Sequence, residues 1–182
     1  GRSIKGAAGE LVVTRPFPSM PIGFWDDADG SHYRDSYFRH FPNVWRHGDW
    51  AQVTSRGGVV IFGRSDATLN ARGIRIGTAE IYRQIGAIAE IEASVAVTQD
   101  RGGDTRIILF IKMRDGVRFD ASLAERIRKS IRENLSPRHV PDKIFAVPEI
   151  PLTSTGKVSE AAVYSAIHGR QPANRGALAN PE

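Results

Sequence analysis

Apolar residues after position 66 recur at helical spacing in two segments. The first segment predicts a helix with Thr78 as its N-cap, and the second predicts a helix from about Ala121 to Asn134. A short third helix is predicted over residues 159–169, where Gly169 closes it. The apolar stripes consist of Ile81, Ile85 and Ile88 in the first helix, and of Leu123, Ile127, Ile131 and Leu135 in the second.

Short runs rich in β-branched residues predict strands. Before position 66, residues 10–14 (ELVVT) predict one strand, and residues 51–62 predict a hairpin around Arg56-Gly57-Gly58. Residues 23–50 mix aromatic, acidic, Gly and Pro residues without a period, which predicts loops with short elements. The strands predicted after position 66 are residues 94–98 (SVAVT), 106–113 (RIILFIKM) and 143–147 (KIFAV).

A change of pattern at GRSD (63–66) divides the chain. Residues 1–65 are β-rich, residues 66–168 predict an α+β domain, and residues 169–182 have no period and are expected to be an extended or disordered tail. The first part is too short and too rich in loops to bury its own core. It also lacks an initial Met. The predicted fold class is α+β, in which the β-rich end of a larger, missing N-terminal domain precedes a small α+β C-terminal domain.

Composition narrows the function classes. The chain has 182 residues, 41% of them hydrophobic, but no apolar run of the roughly 20 residues that span a bilayer. The absence of cysteine excludes disulfides and thiolate chemistry, and it favours a cytoplasmic protein. The net charge is +5, yet the arginines are scattered and the densest basic group resembles the solvated face of a helix, so no nucleic-acid partner is expected. That group consists of Arg126, Arg128, Lys129 and Arg132.

Asp49, in the segment WRHGDW, is the first candidate for binding chemistry. A carboxylate at a loop end can accept two hydrogen bonds from a vicinal diol, as acidic residues do with ribose. The alternative is a turn aspartate that bonds its own backbone.

Residues 63–82 place several arginines among glycines just before the first predicted helix. Glycine permits close approach of the backbone, and guanidinium groups suit phosphate oxygens. The alternative is a hairpin and a turn with ordinary surface arginines. The residues concerned are Arg64, Asp66, Arg72 and Arg75, with Gly63, Gly73 and Gly77.

The segment PLTSTGK (151–157) is a hydroxyl-rich loop that ends in Lys157. It is not a P-loop, because Leu152 stands where that motif needs Gly and Val158 stands where it needs the Ser or Thr that holds magnesium. The lysine could reach into a site and neutralise oxyanions, or it could be a solvated surface side chain. The five histidines lack metal-ligand spacing, and no serine-hydrolase motif is present, so neither of those classes is expected.

Three segments, HGD (47–49), GRSDATLN–GIRIGTAEI (63–81) and STGK (154–157), occur in this order. Together they resemble the acyl-adenylate-forming superfamily of acyl-CoA synthetases, luciferases and nonribosomal adenylation domains, over essentially the whole chain. The runs at 63–83 and 174–182 are most similar to its acetoacetate-activating branch. Departures from the pattern are modest. His47 replaces the usual Thr, Ile74 stands at an often basic position, and STGK replaces SGK.

The resemblance implies a mobile C-terminal domain and a two-step reaction. A carboxylate attacks the α-phosphate of MgATP, and the thiol of CoA then displaces AMP. The small-molecule substrates implied are therefore a short carboxylic acid, acetoacetate by resemblance, with ATP and CoA. The phosphate loop, most of the nucleotide site and the magnesium-binding acid would belong to the missing N-terminal domain.

Position by position, the resemblance implies these roles. Asp49 and Arg64 bind at the ribose, Asp66 is the hinge, Arg75 contacts phosphate, Gly73 lets the pantetheine arm pass, and Lys157 bridges carboxylate and α-phosphate oxygens. Arg128 is a weaker candidate for the CoA phosphates, with a solvated helix face as its alternative. Two other functions stay open. They are a non-catalytic module that binds anions or CoA, and part of another adenylating enzyme of the acetyl-CoA synthetase, luciferase or nonribosomal type.

Overall fold

The computed structural model describes residues 2–65, 68–71, 74–102, 104–172 and 175–180. The chain divides into two compact units, residues 1–66 and 67–182. The chain contains both helices and strands, in agreement with the predicted α+β fold class. Over the described ranges, no helix combines the length and the apolar character needed to cross a membrane.

The first unit contains one antiparallel sheet in the order β1-β2-β3. The hairpin predicted in residues 51–62 is confirmed, and Gly57, with a φ of 82°, lies in its turn. Residues 23–50 were predicted as loops with short elements, and the structure places those elements as a helix and as the start of the second strand at Trp45. The elements are β1 (Ala8–Val13), α1 (Ser31–Tyr37), β2 (Trp45–Val53) and β3 (Val59–Arg64).

An aromatic cluster around Trp45 packs α1 against β2. Trp45 is buried, and the ring of Tyr37 stacks on it with a centroid distance of 3.6 Å. The Asp27 carboxylate accepts hydrogen bonds from the first-turn N–H groups of His32 and Tyr33, which satisfies donors that a helix start leaves unpaired. Edge or tilted ring contacts add Phe17, Phe24, Tyr33 and Phe38 to the cluster.

The second unit is built on a three-stranded sheet in the order β6-β7-β8, antiparallel between β6 and β7 and parallel between β7 and β8. A small hairpin precedes it, and three helices pack on it. The elements are β4 (Leu69–Ala71), β5 (Ile74–Ile76), α2 (Thr78–Gly86), β6 (Ile91–Arg101), β7 (Asp104–Met113), α3 (Ala121–Asn134), β8 (Lys143–Ala146) and α4 (Glu160–Ile167). Short 3₁₀ turns lie at Pro137–His139 and Arg175–Ala177.

Alternate residues of this sheet feed two separate cores, as the period of two in a strand requires. On one face, Leu109 packs with the buried side chains of α2 and α3. On the other face, Ile108 packs with Val163 of α4 and with Ile150. Tyr82 of α2 also reaches α4, since its hydroxyl donates to Glu160 Oε1 at 2.8 Å, and burial raises the pKa of this phenol.

Two local predictions need correction. Thr78 is the first residue of α2 and not its cap. The N-cap is Gly77, which has no side chain to bond the helix start. In the described part of the tail, residues 175–177 form a 3₁₀ turn and residues 177–180 hydrogen-bond to residues 150–154, so this part is not a free extended tail. By contrast α3 begins and ends where its pattern predicts, with the Asp120 side chain accepting from Leu123 N at 2.8 Å as its N-cap.

Candidate functional site

Asp49 lies inside β2, directly opposite Arg64 of β3. Its Oδ2 is 2.6 Å from His47 Nδ1, and its Oδ1 is 3.8 Å from Arg64 Nη1. The prediction of a loop-end carboxylate is therefore wrong about the element, and the turn alternative is wrong for the same reason. The carboxylate is 19% exposed, so it keeps access to solvent while an imidazole and a guanidinium hold it in place.

Gly48 explains how the arginine fits over this strand. Its φ is 85°, a conformation that side chains rarely adopt, and a Cβ placed there would lie 2.6 Å from Arg64 Nη2. Arg64 Nη1 also donates to the carbonyl of His47 at 3.3 Å, and Ser65 N donates to the carbonyl of Gly48 at 2.9 Å. The glycine thus allows the guanidinium to lie flat against the backbone just before Asp49.

A cavity of about 460 Å³ opens beside this group. Its lining combines the stacked rings of Tyr37 and Trp45 with polar and cationic side chains. The lining residues are Ser36, Tyr37, Trp45, Arg46, His47, Gly48 and Arg64. Asp49 is not itself a lining residue, but it contacts His47 and Arg64, which are. A carboxylate acceptor next to aromatic rings and a guanidinium suits a ligand that carries hydroxyl groups and a flat or anionic part.

Lys157 follows a tight hairpin in the second unit. Gly156 N donates to Thr153 O at 2.8 Å, and Thr153 N donates to Lys157 O at 2.7 Å. Gly156 has a φ of 77°, which makes this a three-residue hairpin loop with a left-handed glycine at its end. Thr153 Oγ1 accepts a further bond from Lys157 N at 3.1 Å. The backbone of Lys157 is therefore fixed, while its side chain is exposed.

The base of this hairpin is anchored in the second core of the unit. Ile150, which is 2% exposed, packs there, and Val158 packs against the same cluster. Leu152 and Val158 form an antiparallel bridge between the two arms. A long, flexible lysine is thus carried on a backbone that the core holds from both sides.

The remaining predicted residues stand as follows. Asp66, Arg72 and Gly73 lie outside the described residues. Arg75 pairs with Asn70 across the β4-β5 hairpin, and its side chain is likewise outside the description. Arg128 Nη1 is 2.6 Å from Glu125 Oε1, a pair on the surface of α3 that agrees with the solvated-face alternative. In the part of the chain that the structure describes, Asp49 and Arg64 are brought together in the first unit, and Lys157 lies in the second.

Three contributing residues were not predicted as site residues: His47, which bonds Asp49, Gly48, which admits Arg64, and Thr153, which holds Lys157. Signals for two of them exist in the sequence. The triplet Ser-Thr-Gly before Lys157 has the composition of a three-residue hairpin loop, and a glycine inside a strand marks a bulge or a close approach. The roles predicted for the site residues remain predictions.

Residues 79–157 match the family described as the AMP-binding enzyme C-terminal domain. The chain carries this domain. It is 52% identical over its full length to the acetoacetyl-coenzyme A synthetase of Rhizobium meliloti (strain 1021), and 47% identical to the acetoacetyl-CoA synthetase of Mus musculus. The resemblance to the acyl-adenylate-forming superfamily is thereby confirmed, in the acetoacetyl-CoA synthetase branch.

A solved structure agrees with this assignment. The acetoacetyl-CoA synthetase from Streptomyces lividans matches the whole chain with a TM-score of 0.92 at 46% sequence identity. The chain spans 28% of that structure, and 28% and 27% of the two relatives named above. The chain therefore has the fold of the matching part of that structure.

Proposed function

We propose that this chain is the C-terminal portion of an AMP-forming acyl-CoA synthetase that activates acetoacetate. The observation that carries the proposal is Lys157, which is exposed at the end of a closed hairpin within a chain similar over its full length to acetoacetyl-CoA synthetases. The acyl substrate comes from those relatives. The role proposed for the lysine is argued from the residues of this chain.

In the first half-reaction a carboxylate oxygen of the acid bonds to the α-phosphorus of MgATP, and pyrophosphate leaves. Two anions must approach each other in this step, and negative charge is redistributed over the phosphoryl oxygens. The Lys157 ammonium offsets that repulsion in the transition state. In the second half-reaction the thiol sulfur of CoA attacks the acyl carbonyl and AMP leaves, a step for which this lysine is not needed.

Asp49 and Arg64 are proposed to hold the ribose of the nucleotide. The Asp49 carboxylate offers two acceptor oxygens to a vicinal diol, and the contact between His47 Nδ1 and Asp49 Oδ2 orients one of them. Arg64, which lies over Gly48, adds a fixed positive charge at the same place. The aromatic rings in the lining of the cavity support this proposal, because they provide apolar surface beside the polar groups.

The other implied roles are kept as proposals. Asp66 would be the hinge of a mobile domain, Arg75 would contact phosphate, Gly73 would let the pantetheine arm pass and Arg128 would meet the CoA phosphates. The substrates would be a short carboxylic acid, ATP with magnesium, and CoA. The remaining 72% of such an enzyme would contribute the acyl pocket and most of the nucleotide site.

The test separates the two half-reactions in the complete enzyme. Lys157→Ala should lower the rate of ATP–pyrophosphate exchange about 100-fold or more, because one preorganised charge is lost from the transition state. Thioester formation from premade acyl-adenylate should change little. Lys129→Ala is the matched control, since Lys129 is an exposed lysine on α3. Equal loss of both half-reactions would overturn the role given to Lys157.

A second measurement uses the 182-residue chain alone. We expect no release of AMP from acetoacetate, ATP and CoA, because the phosphate loop and acyl pocket are proposed to lie in the rest of the enzyme. Binding of CoA by this chain alone, weakening steeply with salt, would instead favour a non-catalytic binding module. AMP release would contradict the proposal that the phosphate loop and acyl pocket lie in the rest of the enzyme.

A further inference from the structure

Residues 175–180 lie against the lysine hairpin, on the arm that carries Thr153. Thr153 and Leu178 form an antiparallel bridge. Ser154 N donates to Ala177 O at 2.9 Å, and Ala179 N donates to Leu152 O at 2.8 Å. An isolated two-stranded hairpin is marginally stable in water, so these added backbone bonds support it. The tail residues 175–180 therefore hold the arm of the hairpin that lies opposite Lys157.

Asn180 closes this arrangement with its side chain. Its Oδ1 accepts from Leu152 N at 2.8 Å, and its Nδ2 donates to Ile150 O at 3.0 Å. Both halves of the amide are used, on the two sides of Pro151, where the hairpin leaves the core. An aspartate could keep the first bond, but it has no hydrogen to give to the Ile150 carbonyl.

Thr153 links the tail to the lysine. It is bridged to Leu178 on one side. On the other side its N–H donates to Lys157 O, and its hydroxyl accepts from Lys157 N. A shift of the tail would therefore move Thr153, and with it both polar backbone atoms of Lys157.

We propose that residues 175–180, through Asn180, position Lys157 for adenylation. The proposal rests on the adenylation role proposed for Lys157. Asn180 is a positioning residue and touches no substrate. Its effect is expected in the half-reaction that uses the lysine, because a displacement on the order of 1 Å at a reacting group can cost up to about 100-fold in rate. A tail that only stabilises the fold would affect both half-reactions alike.

The experiment compares Asn180→Ala with Asn134→Ala in the complete enzyme. Asn134 also bonds a backbone carbonyl, that of Ser130, but at the end of α3, so it is a matched asparagine outside the proposed site. We expect Asn180→Ala to lower ATP–pyrophosphate exchange roughly tenfold, and thioester formation from premade adenylate less than about twofold. Asn134→Ala should leave both unchanged. Equal losses in the two half-reactions of Asn180→Ala would overturn the proposal.

A double-mutant cycle with Lys157→Ala separates this inference from the proposed function. If Asn180 acts through the lysine, Asn180→Ala adds less than about twofold to the loss in exchange once Lys157 is gone. The full tenfold loss in that background would overturn the inference and leave the function standing. If Lys157→Ala itself spares exchange, the proposed function fails and the inference fails with it.

Asn180→Asp guards against a variant that does not fold. It keeps the size of the side chain and the acceptor for Leu152 N, and it replaces the donor to Ile150 O with a carboxylate oxygen that cannot donate. The same split between half-reactions, with a smaller factor, is the expected result. A fully active Asn180→Asp enzyme would contradict the role given to the bond between Nδ2 and Ile150.

Discussion

The two units of the chain differ in how they bury apolar side chains. In the first unit, over the described residues 2–65, the buried apolar side chains are those of Trp45 and Ala51. The second unit buries apolar side chains on both faces of its sheet, and helices cover each face. The hairpin of the first unit also leaves adjacent apolar side chains exposed, at 55%, 38% and 43% for Val59, Val60 and Ile61.

The difference shows what each unit can support by itself. A sheet with both faces covered excludes water from every second side chain on each side, which stabilises it by roughly 25 cal/mol for each Å² of apolar surface buried. A sheet held by one aromatic cluster gains less. The lysine hairpin is anchored to the better packed unit, whereas Asp49 and Arg64 lie in the unit that depends on one aromatic cluster and on cross-strand bonds.

The largest expected effect comes from the core of the second unit. Ile127 on α3 is fully buried, so Ile127→Ala should cost about 2–5 kcal/mol of unfolding free energy. All three tryptophans, Trp25, Trp45 and Trp50, lie in the first unit. Tryptophan fluorescence therefore follows that unit, and far-ultraviolet circular dichroism follows both. In denaturant titrations, we expect Ile127→Ala to lower the midpoint of the dichroism transition and to leave the midpoint of the fluorescence transition in place.

The control for this comparison is Ile22→Ala. Ile22 is fully exposed, at 104%, so its loss should change stability by no more than about 0.5 kcal/mol. If Ile127→Ala moves both transitions together, the two units unfold as one, and the contrast between them does not describe their stability.

The second prediction weakens the first unit instead. Tyr37 stacks on Trp45, so Tyr37→Ala should cost about 2 kcal/mol in that unit and shift the tryptophan emission to the red as water reaches the indole. Tyr164 of α4 provides a matched tyrosine in the second unit, where it packs on His168. Tyr164→Ala should leave the fluorescence transition unchanged. An unshifted emission in Tyr37→Ala would contradict the central place given to the aromatic cluster.

The sequence predicts the fold of the second unit better than it predicts the fold of the first unit. In the second unit the apolar period and the strand runs agree with one another, and α3 is correct at both ends. In residues 23–50 the order comes from rings that meet around Trp45 from separate places in the chain. Such contacts leave no period in the sequence, so α1 and the start of β2 were not predicted.

The sequence predicts which residues form the site better than it predicts how they are arranged. Asp49, Arg64 and Lys157 stand out by their motifs, yet the pairing of Asp49 with Arg64 depends on strand register. That register shifts between Trp50 and Ala51, where β2 and β3 change alignment. The bonds of Asn180 to Leu152 and Ile150 join distant parts of the chain, and nothing in the local pattern near residue 180 predicts them.

A third prediction compares the glycines that precede the two key residues. Gly48 and Gly156 both have positive φ, so alanine at either position should cost about 1–2 kcal/mol in strain. At Gly156 the added Cβ meets nothing within 4 Å, whereas at Gly48 it lies 2.6 Å from Arg64 Nη2. Gly48→Ala should therefore also displace Arg64 and weaken nucleotide binding beyond its effect on stability. Titration with AMP and denaturation of both variants would check this, and equal effects in the two would contradict it.

The smallest expected effect lies at the periphery of the second unit. Arg126 Nη1 on α3 is 2.7 Å from Glu90 Oε1, and this bond lowers the pKa of the Glu90 carboxyl. A carboxyl with a lowered pKa in the folded state contributes stability at neutral pH, and this contribution is lost as the pH falls through the folded-state pKa. Glu90→Gln should therefore flatten the acid limb of the dichroism transition while leaving the fluorescence transition unchanged. Glu133→Gln, whose partner Lys129 is 3.9 Å away on the same helix, should change that limb less. A larger effect from Glu133→Gln would show that the bond between Glu90 and Arg126 is not what makes the second unit sensitive to acid.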